Sequence, residues 1–562
     1  MNIKIGILMK KRIFICNEAS FIASGYGIHG KELLTRLHNS DKYEVAELGC
    51  YSTVNDPRIQ NIPWKFYPNL PKPDDTEKLN EYKSNGNNQF GLWRFNKAII
   101  DFKPHIVFDV RDYWMYAYQE TSPLRKYFKW ILMPTVDSAP QHFEWLSTFC
   151  NADMVMPYTE WARDVLVNSC GNKINLFPKV ALAGVNPNDF YPIDDRASLK
   201  EKYFGRKDAM ITGLVVRNQK RKLVSDILLT YKKYLNTLLI SGNKDLYDRS
   251  FLYLHTTYPE EHGWNIPALL LEFGMLDKTY FTHNCRNCGN IEASKFQNAV
   301  TVCQKCNSAS RTFPNPTNPL STEKLNEIYN LFDLFIQYAI CEGFGYPQIE
   351  AAACGVPIAS VDYSAMSEIC RDLNGTKIPV KRLFRELETN ADRAYPDNDF
   401  TSKMIYDYFI NYSEENAKKL SAETRQLCIN KYTWDNVYKI WEECFDSIDI
   451  SDLKDWNDPT ISEVSTNMSV PGNLSKIEFV KYICDNIIKE PKLFYSGHIQ
   501  MLLRDFLSGI VAKNSNIRTI NHQEVVNILE QYLVNKVNHE KLRVNSHLLK
   551  QEDFITCQNP KR

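Results

Sequence analysis

Cys341-Glu342-Gly343-Phe344-Gly345-Tyr346-Pro347-Gln348-Ile349-Glu350-Ala351-Ala352-Ala353-Cys354-Gly355-Val356-Pro357 is the stretch on which the reading of this chain turns. Two carboxylates, Glu342 and Glu350, bracket a glycine-rich turn that runs into a helix of small residues. Glycine lets backbone approach a ligand closely, and a helix starting there offers free N–H groups to an anionic or hydroxylated ligand. One carboxylate on the turn and one on the helix can then grip two polyol portions of one molecule. A lone Glu-Gly pair would read as a turn with a capping acid; the whole string reads as a cradle.

Around this string, short β-rich runs alternate with longer amphipathic segments, as in parallel sheets joined by helices. Expected strands are 12–16, 43–48, 105–109, 130–135 and 154–157, then, from Ala209 onward, 210–216, 251–256, 278–282, 334–338 and 357–361. Residues 30–38 read as a helix following a loop, Ser24-Gly25-Tyr26-Gly27. The expected fold class is therefore α/β, with two Rossmann-like domains facing each other across a cleft. The turn-rich Asn186-Pro187-Asn188-Asp189-Phe190-Tyr191-Pro192 divides residues 1–190 from 191–446. Residues 447–473 are polar, contain Pro459, Pro471 and Gly472, and read as a linker. Residues 474–562 carry helical apolar spacing, as in Val525, Ile528, Leu529, Tyr532 and Leu533, and read as a C-terminal α-helical module.

The 562 residues are more than one core supports, in keeping with this division. Lys plus Arg number 67 and Asp plus Glu 67, which excludes a general polyanion coat or a polybasic membrane binder. No apolar run approaches the roughly 18 residues of a spanning helix. The first apolar stretch, Ile3 to Met9, contains Lys4 and meets Lys10, Lys11 and Arg12, so no signal peptide is expected. Of 15 cysteines, four form Cys285-x2-Cys288 and Cys303-x2-Cys306, and the rest are scattered through apolar surroundings. Reduced core thiols and a cytoplasmic setting fit that usage.

The Glu342-to-Glu350 string resembles the Glu-x7-Glu signature of retaining glycosyltransferases of the GT-B fold, in particular glycosyltransferase family 4. The resemblance runs in the family's order over most of residues 12–446. Ser24-Gly25-Tyr26-Gly27 resembles the family's first glycine-rich loop, Gly184-Val185-Asn186 with Phe190-Tyr191-Pro192 its interdomain signature, and Tyr432-Thr433-Trp434 the start of a final helix that returns to the N-terminal domain. Val216-Arg217-Asn218-Gln219-Lys220-Arg221-Lys222 stands where the family keeps an Arg and a Lys on the donor diphosphate.

Physical chemistry supports that last placement separately. Transfer from a nucleotide sugar grows negative charge on the departing diphosphate, so cations fixed at the phosphate oxygens favour the transition state over the ground state. Arg217 can fork onto phosphate oxygens and Lys222 adds a point charge. By the resemblance, Glu350 binds the donor ribose, Glu342 the transferred sugar, Gly343 and Phe344 supply backbone contacts near the phosphates, and Gly25 and Gly27 bring the opposite domain's backbone to the donor. Family members often place His or Asp where Asp137 stands, which makes it the candidate for the reacting face; the competing reading is an N-cap for residues 140–149. Arg111 and Asp112 end another strand on the same rim, and either touch the acceptor or pair with each other. The resemblance implies a UDP-, GDP- or ADP-sugar donor, a hydroxyl acceptor (a glycan or other saccharide favoured, a lipid-linked sugar, protein or modified nucleobase left open), retention of configuration and no catalytic metal.

One segment departs from that family. Cys285-x2-Cys288-Gly289 and Cys303-x2-Cys306 offer four thiolates to one ion, a zinc-ribbon pattern spanning about 283–313. Too few apolar residues lie between them to fold alone, so structural zinc would supply the folding energy. Arg286, Lys295, Lys305 and Arg311 make nucleic acid a minor candidate partner, against sparse aromatics, Phe296 and Phe313. The competing class is a non-catalytic scaffold of the same fold that binds nucleic acid or protein through the ribbon and the helical module. The intact charged constellation argues for the enzyme.

Overall fold

The computed structural model describes residues 10–456, except 123, 298, 299, 316 and 317, together with position 478. The C-terminal module expected over 474–562 and the linker beyond Trp456 lie outside the described residues. Two doubly wound sheets organise the chain. The first contains β1 (Lys11–Glu18), β2 (Tyr43–Thr53), β3 (Lys65–Leu70), β4 (Ile106–Asp109), β5 (Lys129–Leu132) and β6 (Met154–Val155), in the order 3-2-1-4-5-6 and parallel throughout. β4 is buried along its whole length, as a parallel strand covered by helices on both faces must be.

The second sheet is built on β7 (Met210–Val215), β8 (Ser250–His255), β9 (Thr279–Cys285), β10 (Ile291–Ser294), β11 (Thr301–Val302), β12 (Ala309–Thr312), β13 (Leu334–Gln337), β14 (Ile358–Val361) and β15 (Thr376–Ile378), ordered 11-12-9-8-7-13-14-15 with β10 also on β9. A separate hairpin joins β16 (Val380–Arg385) to β17 (Asp392–Pro396). Gly213 of β7 has a packing reason: a Cβ there would lie 2.2 Å from the Phe332 ring. The pattern reading found the central strands of both sheets. It passed over β3, β15 and the hairpin, whose exposed or short strands carry little hydrophobic period.

The glycine-rich segment expected as a loop is instead the first turn of a helix, Gly25–Asn39, whose N-cap Ser24 accepts the Gly27 N–H at 3.1 Å. The helix Trp434–Ser447 packs on the first half, where Lys11 Nζ donates to the carbonyls of Phe445, Asp446 and Ile448. Its start meets the segment that links the two sheets: Val185 N–H donates to Tyr432 C=O at 2.7 Å, and a Cβ on Gly184 would lie 2.4 Å from Trp434 N. Residues 449–456, read from composition as linker, are anchored on the first half. Trp456 is buried, packs with its ring 4.7 Å from that of Tyr127 and donates Nε1 to Pro104 C=O at 3.1 Å. A short run of polar residues with one aromatic anchor gives no period to read. Among the described residues no helix is long and apolar enough to cross a membrane.

Candidate active site at the facing strand ends

In doubly wound sheets the loops after the carboxyl ends of the strands form the ligand crevice. Here those ends face each other. β7 leads into Arg217–Lys222, β13 into Cys341–Gly345, β4 into Asp112, β5 into Thr135–Asp137 and β1 into the helix beginning at Gly25.

Glu342 is the charged centre. Its carboxylate accepts from Lys222 Nζ, from Arg221 Nη1 at 2.9 Å and from Gln337 Nε2 at 2.9 Å. Ser364 Oγ accepts the Glu342 N–H at 3.2 Å. Glu342 and Lys222 are buried. Burial alone would raise the Glu342 carboxyl, but the two cations reverse that and bring it down to about 2. Lys222 is pulled below the usual ammonium range by burial and by Arg221, against the pull of Glu342. Two cations share one carboxylate, so this group of three carries one net positive charge. That is the electrostatic condition a diphosphate needs. The family resemblance singled out Arg217 and Lys222 in the basic run; the structure adds Arg221 between them.

Arg217 stands at the rim, about half exposed, with its Nη2 donating to Glu260 at 2.5 Å. Glu18, at the end of β1 in the opposite sheet, acts on it electrostatically. Glu350 lies one helical segment on, in Tyr346–Ala353, and accepts from Tyr329 Oη at 2.6 Å. Burial pushes its carboxyl up to about 7, against the lowering effect of that hydrogen bond. The helix enters at Gly345, whose left-handed φ of 96° no bulkier residue adopts readily, and Pro347 occupies its first turn.

The two halves touch through the glycines. A Cβ on Gly343 would lie 2.2 Å from Thr135 Cγ2 of the opposite half, whereas Gly27 is crowded within its own half, where a Cβ would lie 2.3 Å from Ile22 C=O. Gly25 faces the Tyr346 ring, 3.7 Å from a notional Cβ, so the first residues of two helices from opposite sheets meet there. Phe344 is buried and stacks on Tyr158 at 5.2 Å, leaving its backbone as the part that can face a ligand.

Asp137 is not an N-cap: the following helix is Phe143–Asn151 with His142 at its cap. It accepts from Arg393 Nη1 at 2.9 Å, Ser138 Oγ at 2.8 Å and Cys341 Sγ at 3.2 Å. Arg393 comes from the hairpin strand β17, which nothing in the sequence pattern placed near this site. Arg111 and Asp112 do not pair with each other. Arg111 is buried and forks onto Asp109 at 2.8 and 2.5 Å. Asp112 faces the crevice with Asp137, Tyr26, Arg221 and Glu18 around it, and burial followed by the Asp137 charge pushes it up to about 7.

The four ribbon cysteines converge. Their sulfurs all lie within 4.8 Å of one another, with Cys285 to Cys306 at 3.6 Å and Cys288 to Cys303 at 3.7 Å. A regular tetrahedron with Zn–S of about 2.3 Å has sulfurs about 3.8 Å apart. The two knuckles repeat one geometry. Gly289 and Asn307, both at positive φ, donate N–H to the carbonyls of Cys285 and Cys303 at 2.9 Å, while Cys285 and Cys303 donate to Asn290 and Ser308, also at 2.9 Å. The donor set and spacing fit a divalent, thiophilic ion. Among the described residues all cysteines are free thiols.

Comparison with known proteins agrees with this architecture. Residues 316–406 match the model of glycosyl transferases group 1. Over 123 residues the chain is 24% identical to the GtfA subunit of the UDP-N-acetylglucosamine–peptide N-acetylglucosaminyltransferase of Streptococcus parasanguinis, covering 22% of each chain. The chain thus spans about a fifth of the length of that curated relative. Sucrose-phosphate synthase of Thermosynechococcus elongatus superposes with a TM-score of 0.54 at 14% identity, over 78% of this chain and 100% of that one. A glycosyltransferase of Rickettsia africae gives 0.51 at 14%, over 78% and 98%. HepE of Anabaena, in complex with UDP-glucose, gives 0.51 at 11%, over 78% and 100%. The two facing doubly wound sheets are the GT-B fold, and residues 316–406 carry the group 1 glycosyltransferase signature.

Proposed function

We propose that this chain is a retaining glycosyltransferase, similar to glycosyltransferase family 4, that moves a sugar from a nucleoside-diphosphate sugar to a hydroxyl acceptor of saccharide type in the cytoplasm. The observation that carries the reading is the Lys222–Glu342–Arg221 cluster at the strand ends, built on a buried Lys222–Glu342 pair and carrying one positive charge in excess. Lys222, Arg221 and, from the rim, Arg217 receive the diphosphate. Their charge counts most as the glycosidic C–O bond breaks and the leaving oxygen becomes anionic. Glu342 holds both cations in place and offers its remaining acceptor capacity to the hydroxyls of the transferred sugar. Glu350 takes the ribose hydroxyls, and the backbone at Gly343 and Phe344 lies beside the phosphates. Asp137, fixed by Arg393, lines the acceptor face together with Asp112. Attack comes from the side that the diphosphate leaves, the acceptor proton passing to the departing phosphate oxygen, so the anomeric configuration is kept.

The cysteine cluster holds one structural zinc, with Cys285, Cys288, Cys303 and Cys306 as ligands. Zinc content on purified protein tests it directly; fewer than one ion per chain with four titratable thiols would refute it. The transfer reading is tested by a thermal-shift screen of UDP-, GDP- and ADP-sugars. A donor at about 100 times its Kd stabilises by about 2.7 kcal/mol, a resolvable rise in Tm. UDP-glucose is the first probe, since it sits in the Anabaena neighbour. If no nucleotide sugar shifts Tm or is hydrolysed, the scaffold reading takes its place.

A further inference from the structure

The ribbon stands on the donor side of the molecule, and the strand register shows how. Phe281 of β9 pairs with Leu254 of β8 on one edge and with Ser294 of β10 on the other. Three residues on, Asn284 pairs with Ile291 of β10 and with Thr312 of β12. β10 keeps its edge, so β12 occupies the edge that β8 has vacated. It therefore lies just beyond the carboxyl end of β8, on the rim where the ligand crevice forms.

The loop that leaves β8 is clasped from both sides. On the ribbon side, the Tyr258 ring lies 5.2 Å from Phe296 and 5.8 Å from Phe313, and these two rings also pack on Phe281. On the other side the same loop holds the Arg217–Lys220 turn. Glu260 accepts from Arg217 at 2.5 Å, Thr257 Oγ1 accepts the Asn218 N–H at 3.3 Å, and Asn218 and Trp264 exchange two hydrogen bonds at 3.0 Å. Trp264 Nε1 donates to the carbonyls of Gln219 and Lys220 at 3.1 and 3.2 Å.

We propose that the metal-held ribbon positions the donor-diphosphate turn: through Phe313, Tyr258 and Glu260 it fixes Arg217 at the crevice rim. This rests on the proposed function for the role of Arg217, while the mechanical coupling stands on the contacts alone. The ribbon has few apolar residues of its own, so loss of the ion loosens β12 and withdraws Phe313 from Tyr258. Loop 256–264 then loses one of its two supports, and Glu260 no longer holds the guanidinium in one direction. Phe313, Tyr258 and Glu260 are positioning residues.

Hydrogen exchange on the full-length protein reads the coupling without any donor. Zinc-replete protein is compared with chelator-treated protein and with Cys306→Ser. The expected result is faster exchange in 285–313 and, in addition, in 256–264 and 216–222, with 11–18 unchanged and protection restored by added zinc. Increases confined to 285–313 would overturn the proposal. Phe313→Leu and Phe313→Ala give a second reading with the metal in place. With UDP-glucose, or whichever sugar the screen selects, Phe313→Ala raises KM about tenfold with kcat within about twofold, the size of one lost hydrogen bond to a charged group, and Phe313→Leu recovers part of it. Equal KM in wild type and both variants would also overturn it. Absence of transfer by the wild-type protein counts against the proposed function and leaves the exchange result to decide the coupling.

Discussion

Gly343 and Thr135 sit back to back across the two sheets, so close that a methyl group on Gly343 would overlap Thr135 Cγ2 at 2.2 Å. The contact brings the turn carrying Glu342 onto the strand end that leads to Asp137, and Thr135 in turn shares a 3.0 Å hydrogen bond with Tyr26 beside Gly25. Gly343→Ala therefore pushes the halves apart where they should meet over the sugar. Overpacking of this kind costs about 1–3 kcal/mol. Turnover is expected to fall at least about tenfold while the far-ultraviolet circular dichroism stays unchanged; full activity in this variant would show that the approach is not needed.

Glu342 carries both an energetic and a chemical prediction. Glu342→Ala leaves the buried Lys222 and the partly exposed Arg221 beside each other without their anion, a loss of about 3 kcal/mol, the low end for broken buried pairs because solvent reaches Arg221. Donor turnover should drop about a hundredfold or more. Chemical denaturation and donor hydrolysis measure the two separately. The carboxyl is held near 2 in the folded chain, below its unfolded value of 4.5, so this stabilisation is present above about pH 4.5 and is lost as pH falls toward 2.

Lys222 and Arg217 should differ in kind. Lys222 is buried against Glu342, and Lys222→Ala removes charge from the enclosed cluster; a rate loss of about a hundredfold is expected. Arg217 is exposed at the rim and works by its fork, so Arg217→Lys keeps the charge and loses the bidentate geometry. A loss of about tenfold in donor affinity, measured calorimetrically, is expected, the scale of one charged hydrogen bond. Equal effects from both substitutions would remove the distinction.

Glu350 predicts a pH dependence of donor binding. Ribose hydroxyls donate to a carboxylate, yet burial holds this carboxyl up to about 7 in the free protein. Donor binding must then release a proton below that value, so affinity rises as pH increases from about 5.5 to 7.5 and levels off. Glu350→Gln should flatten the profile. Tyr329→Phe removes the hydrogen bond that favours the charged form and should move the midpoint upward. A flat wild-type profile would show that Glu350 does not take up this role. For the free protein the sign is opposite: with its pKa raised, Glu350 costs stability as pH rises from 4.5 through about 7.

Much of this was readable along the chain, for reasons that are local. The buried parallel strands announce themselves as short apolar runs, the paired Cys-x2-Cys turns fix their own sulfur spacing, and Glu342 and Glu350 lie on one turn and the helix it starts. Each of these depends on residues within a few positions of one another, where backbone geometry alone sets the distance. Arg217 and Lys222 stand in one contiguous basic run whose position resembles the family's diphosphate site, and that run concealed that Arg221 is the second cation on Glu342.

Tertiary structure decided the rest. Asp137 and Arg393 are 256 residues apart, and only the crossing of a hairpin from the second half over the loop after β5 pairs them. Arg111, beside Asp112 in the chain, is withdrawn by Asp109, while Asp112 is raised toward neutrality by burial and by an acid from another strand. The ribbon's place on β8's vacated edge follows from strand register across β9, which no spacing in the sequence expresses. Spacing along a chain specifies which groups can share one turn or one helix face. Charge, burial and reach between distant segments arise only when the two sheets close on each other, because packing then fixes both the distance and the dielectric between them.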